Sequence, residues 1–226
     1  MVERLVVYRA STVSGTMGAW AVRMAYPGPG TIFKSHDAAA NAPPALSGLP
    51  NSCEVIFVET CAPTADLVVA CCLRFRQVYI WDHHKFSAAI AANFAGLTGT
   101  SAVWNRSAGK LCPSNVSFRI ERYMTGCMIA CRELGVQLTP KQRTLFALVQ
   151  DYELGIHLHP RSKQFGQAIM SRCIEGHIER NPALFSQLET LDPAELLSEV
   201  PPAVPTTSGM GPSEPSSSDW ENILDK

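Results

Sequence analysis

The chain has 226 residues, a formal net charge of −1, 46% hydrophobic and 17% charged residues. That is enough apolar sequence to bury a sizeable core, and it excludes a wholly disordered chain. So neutral a balance supplies no global positive field to recruit nucleic acid, and any anion site must be local.

The first segment, Val2–Tyr8, reads as a strand with no n-region, h-region or cleavage site before it, so no signal or transit peptide is expected. Thr12-Val13-Ser14-Gly15 follows as a turn, and the apolar spacing of Thr16–Met24 predicts a helix packed on a sheet. Tyr26–Pro50 is rich in Pro, Gly and Ala and leaves room for one short strand at Thr31–Lys34. Gly28-Pro29-Gly30 reads as a turn, since no helix opening on Lys-Ser/Thr follows, and His36-Asp37 reads as a surface turn. Glu54–Glu59 is a buried strand ending in an acid, Pro63–Cys72 a short helix, and Gln77–Trp81 a strand that stops at Asp82-His83-His84. Strands alternating with helices predict an α/β fold, a mostly parallel sheet with helices on both faces. Ligands bind such sheets at the carboxyl ends of strands, where Ser14, Glu59 and Asp82-His83-His84 all fall.

Farther along, Phe118–Leu134, Pro140–Tyr152 and Ser162–Glu179 carry helical periodicity, with His157 and His159 in a loop between the last two. Composition shifts near Leu191. The expected plan is an α/β domain over 1–190, a Pro/Ser-rich flexible linker over 191–218 and a short amphipathic anchor over 219–226. Trp220, Ile223 and Leu224 share i, i+3, i+4 spacing in that anchor, a pattern suited to docking on a protein partner. No apolar stretch is long enough to span a bilayer. The eight cysteines form no C-x-x-C pair and read as buried reduced thiols, consistent with the cytoplasm or another reducing intracellular compartment.

Asp82-His83-His84 at the end of a buried strand is the feature with the most chemistry in it. Carboxylate and imidazole suit hard divalent ions such as Mn²⁺, and a strand terminus presents them together. At these residues the chain resembles the DHH phosphoesterases, which include RecJ-like exonucleases, oligoribonuclease-type enzymes and cyclic-dinucleotide phosphodiesterases. The resemblance runs from Leu5 to Ala168. Leu5–Trp20 is similar to the family's first strand–loop–helix, Val55–Glu59 to its second motif and Trp81–Lys85 (W-D-H-H-K) to its third. Tyr123–Cys127 is similar to the segment where small residues start a helix, and Leu148–Leu154 to the fourth motif, with Asp151 in the acidic position.

The resemblance implies metal ligands at Glu59, Asp82, His83 and Asp151, with His84 facing the substrate in a catalytic role. It also marks two departures. Arg9 stands where the first motif has a histidine and Ser14 where it has an aspartate, while Glu59 replaces the bridging aspartate. A guanidinium is always protonated and has no lone pair to give a cation, and a serine hydroxyl is a poor substitute for a carboxylate. A two-metal mechanism needs ions roughly 3.5–4 Å apart, so it is expected to be disabled. The remnant has three open fates: one weakly bound Mn²⁺ or Mg²⁺ (or none), an ion-pair network from Arg9 to Glu59 or Asp151, or a phosphate cradle at Arg9 and His84. Active members also carry a second, glycine-rich substrate domain with no counterpart after Glu179. The leading expectation is a catalytically degenerate scaffold or subunit. The alternatives are an active Mn-dependent phosphodiesterase on short oligonucleotides or cyclic dinucleotides, and a nucleotide or phosphate binder without hydrolysis.

Overall fold

Strands buried on both faces need unbroken apolar runs, and Leu5-Val6-Val7-Tyr8, Val55-Ile56-Phe57-Val58 and the stretch through Ile80-Trp81 supply them. A computed structural model describes residues 2–36, 46–60, 65–95, 115–174, 178, 181 and 183–199. The strands β1 (Arg4–Tyr8), β2 (Thr31–Ser35), β3 (Glu54–Val58), β4 (Gln77–Asp82) and β5 (Val116–Ile120) pair in the order β2-β1-β3-β4-β5, every pair parallel. The outer strands β2 and β5 are only half-buried and expose Lys34 and Arg119, charges that discourage a further strand from adding.

The register decides which side chains share a face. Tyr8 lies opposite Val58, and Val58 opposite Trp81. Alternation therefore sends Leu5, Val7, Val55, Phe57, Val78 and Ile80 to one side. There they pack with Val68, Cys71 and Cys72 of helix α2 (Ala65–Arg74) and Ile90 of α3 (Lys85–Ala95). Helices α1 (Val13–Ala25) and α4 (Gly126–Leu134) take the opposite face, where a Cβ on Gly18 would lie 2.2 Å from Val58 Cγ1 and 3.4 Å from Cys127 Cα. The chain steps one way from β1 to β2 and the other way from β3 through β5. Right-handed crossovers in opposite directions put their helices on opposite faces. The reversal between β1 and β3 is the crevice where such sheets bind ligands.

Two compact units divide the chain, Met1–Val136 and Gln137–Lys226, a boundary inside the stretch read above as one domain. The second holds α5 (Pro140–Glu153), α6 (Ser162–Ile174), α7 (Leu184–Thr190) and α8 (Pro193–Glu199). Its first helix starts at a capping box, Thr139 Oγ1 accepting from Gln142 N while the Gln142 side chain accepts from Thr139 N, with Pro140 next in line. No helix among the described residues is long and apolar enough to cross a membrane.

Several expectations change. Residues 118–120, read as helical, belong to strand β5, because Phe118 and Ile120 alternate with Arg119 and pack on the α2/α3 side of the sheet. Helix α3 was not anticipated, and α8 occupies part of the stretch read as linker. His36 is buried at 3% exposure, not on a surface turn, because its backbone N–H continues the ladder to Tyr8 O past the end of β2. The anchor residues Trp220, Ile223 and Leu224 lie outside the described residues.

Packing this close yields two expectations. Gly18→Ala drives a methyl into Val58 and should destabilise the chain by about 1–3 kcal/mol or more, read as a lowered urea midpoint. Cys53, Cys71, Cys72, Cys127 and Cys131 are buried and form no disulfide, and burial pushes the Cys71 thiol up to about 12 and raises that of Cys131 as well. Those five should resist iodoacetamide in the native protein and react only in denaturant, as peptide mass spectrometry would show.

Candidate functional site

The parallel ladder runs past the strand ends and brings their next residues together. Arg9 N donates to Val58 O at 3.3 Å, Glu59 N to Trp81 O at 2.9 Å, and Glu121 N to Asp82 O at 3.1 Å. Arg9, Glu59 and Asp82-His83-His84 consequently share one edge of the sheet, beside the switch point.

Glu59 is 1% exposed and has a φ of 55°, left-handed backbone that a non-glycine residue adopts at a cost of about 1–3 kcal/mol. The turn ends β3 and delivers the carboxylate to the N-terminus of α4. Oε1 accepts from Ser14 Oγ and from Gly126 N, while Ser14 Oγ accepts in turn from Cys127 N at 3.3 Å. Two otherwise orphaned N–H groups of α4 are thereby satisfied, and the positive end of the helix faces a carboxylate. Only glycine fits at 126: a Cβ there would lie 2.9 Å from both Glu59 Cγ and Trp81 O. His83 Nδ1 sits 3.2 Å from Oε1 with hydrogen-bond alignment, and 3.0 Å from Oε2 without it. Oε2 is therefore buried with no aligned donor, although His83 Nδ1 and, at 3.6 Å, His84 Nδ1 stand beside it.

Asp82 is nearly as buried and far better satisfied. Oδ1 accepts from His83 N at 2.7 Å, His84 N at 3.3 Å and His84 Nδ1 at 2.6 Å, and Oδ2 accepts from Ser87 Oγ. Burial pushes its carboxyl up, but the hydrogen bonds from His84, Ser87 and His83 N outweigh it and hold the group below the ordinary range. On the far side of the ring, Arg9 Nη1 lies 3.3 Å from His84 Nε2. A guanidinium only donates and a carboxylate only accepts, which assigns His84 the neutral tautomer with its proton on Nδ1. The rings of His83 and His84 stack with centroids 4.3 Å apart.

Glu59, Asp82, His83 and His84 offer ligand atoms all within 4.8 Å of one another. Together they form a candidate acidic and histidine metal cluster, in which Oε2 of Glu59 is the carboxylate oxygen left without an aligned donor, whereas Asp82 is already engaged by four donors and orients the histidines. Arg9, Ser14, Glu59, Asp82, His83 and His84 are thus brought together within the first unit. Asp151 belongs to the second unit, where it is 3% exposed and accepts Leu158 N at 2.8 Å and His159 N at 3.0 Å, tying down the loop after α5. The loop histidines are engaged there too: His157 Nδ1 lies 3.4 Å from Ser162 Oγ, and His159 Nδ1 accepts from Arg161 N at 3.2 Å. Among the described residues no ion pair joins Arg9 to Glu59; the guanidinium donates to Ser11 Oγ and His84 Nε2 instead.

Two participants went unnoticed in the sequence. Ser87 sits one helical turn past the D-H-H tripeptide, a spacing that was there to be read. Gly126 lay in Tyr123–Cys127, which the resemblance marked as a helix start without showing which group that helix would face. Comparison with known proteins returns no match to any family model, any curated protein or any solved structure.

Ser14→Ala removes a donor from Glu59 and an acceptor from Cys127 N in one step. It should cost about 1–3 kcal/mol in chemical denaturation, more than an exposed serine would.

Proposed function

We propose that the chain is a catalytically degenerate DHH phosphoesterase-like domain acting as a scaffold or binding subunit of a larger assembly. One observation supports the reading: both positions at which the resemblance would put terminal ligands of one metal are given to internal hydrogen bonds. Arg9 bonds Ser11 and His84, and Ser14 bridges Glu59 to the start of α4. Neither side chain is placed to steady a second cation, so the clamp on attacking and leaving oxygens is lost.

One divalent ion would be held by Glu59 and His83, with Asp82 behind them, and when bound it would supply Lewis acidity and a more acidic water. The surviving side chains keep an orienting task. Asp82 fixes the ring of His84 and leaves Nε2 facing outward, where Arg9 meets it. That dyad favours a second reading, single-metal hydrolysis of a phosphodiester with His84 as base.

Mn²⁺ titration by calorimetry, paired with hydrolysis of bis(p-nitrophenyl) phosphate, separates the two. Weak binding without turnover is expected of the native chain, and Arg9→His with Ser14→Asp should raise Mn²⁺ affinity about tenfold or more. Turnover abolished by Asp82→Ala would overturn the degenerate reading. An unchanged affinity in the double variant would count against placing Arg9 and Ser14 at ligand positions.

A further inference from the structure

We propose that Arg9 and His84 form an oxyanion site that works without a metal ion and selects a protonated phosphate group, either free phosphate or a phosphomonoester. The inference deepens the degenerate reading and rests on it only in taking Arg9 to hold the place of a cation.

The charge balance carries the first half. Arg9 is half-buried, permanently charged and, among the described residues, in no ion pair. Neither nearby carboxylate pairs with Arg9, although Oε2 of Glu59 lies 3.6 Å from His84 Nδ1 on the other side of that ring. Oε1 of Glu59 is turned to Ser14, His83 and the start of α4, and Asp82 to four donors of its own loop and helix. The guanidinium has five N–H groups and spends bonds on Ser11 Oγ and His84 Nε2, both neutral acceptors at 3.3 Å. An anion would be a stronger partner than either, since it adds opposite charge and can take two parallel N–H bonds from the guanidinium fork. The place is also the expected one: Arg9 and His84 follow β1 and β4, on either side of β3 at the carboxyl edge.

The hydrogen-bond polarity of the pair carries the second half. Asp82 holds the proton of His84 on Nδ1, so Nε2 is an acceptor beside the donors of Arg9. A ligand matching both must accept at one oxygen and donate at another. Hydrogen phosphate and a monoprotonated phosphomonoester do so; sulfate, with no O–H near neutral pH, does not. A ligand oxygen entering between Arg9 and His84 would replace their 3.3 Å contact with two better bonds.

Phosphorus NMR titration of the full chain in excess EDTA tests the site, with inorganic phosphate and phenyl phosphate as probes and sulfate as competitor. Saturable broadening is expected, sulfate competing poorly, and Arg9→Ala weakening binding about 10- to 100-fold. Arg9→Lys, which keeps the charge but not the fork, should fall between the two. His84→Phe should retain anion binding while losing the preference for phosphate over sulfate. Tighter binding of phenyl phosphate would identify an ester as the ligand, and tighter binding of inorganic phosphate the free ion. Phosphate that binds only after Mn²⁺ is added, binds Arg9→Ala equally, or does not bind at all would overturn the proposal. Circular dichroism of each variant separates loss of the site from loss of the fold. Diester turnover in the same samples bears on the degenerate reading alone, so the two fail by different results.

Discussion

The carboxylate of Glu59 meeting the N-terminus of α4 is the contact around which the site is arranged. Three separate stretches converge on it: Ser14 from the start of α1, Gly126 and Cys127 from the start of α4, and His83 from the end of β4. Left-handed backbone at a buried glutamate is unfavourable by itself. It persists because the strand ladder fixes Glu59 N on Trp81 O while the helix start takes the side chain. Relaxing the backbone would leave a buried charge, the Gly126 N–H and the Ser14 hydroxyl without their partners, a larger cost than the strain.

That arrangement gives Ser14 and Arg9 structural partners. A serine at position 14 is short enough to sit between Glu59 and Cys127 N, donating to one and accepting from the other, which a carboxylate cannot do. An arginine at position 9 reaches along the edge to His84. Each side chain satisfies neighbours from other parts of the sheet edge, so hydrogen bonds of the chain itself hold the cluster together. The Asp82–His84 pair fits the same account: hydrogen bonds from Ser87, two backbone N–H groups and the imidazole hold it whether or not chemistry follows.

Much of the first unit was legible from the sequence because its signals are local. The runs through Val6, Ile56 and Ile80 are too apolar and too short for anything but buried parallel strands, and their ends marked Ser14, Glu59 and Asp82-His83-His84 as lying at one edge. Misreadings occurred where periods are ambiguous or burial comes from elsewhere. Val116–Ile120 is five residues long and runs toward a helix, so only pairing with β4 marks it as a strand. His36 sits in a polar context, and its burial follows from the ladder to Tyr8.

By itself the sequence determined the fold class, which polar residues end the buried strands, and that Arg9 cannot and Ser14 can only poorly ligate a cation, because these depend on residue type and on periods of two and 3.6. Only the tertiary structure decided what those residues do instead. It gave Arg9 to the histidine ring and not to a carboxylate, set Ser14 between Glu59 and a helix start more than a hundred residues away, and gave Asp151 a local role in tying down its own loop. Partner choice among buried polar groups is settled by distance and direction across separate elements, and no local pattern encodes those.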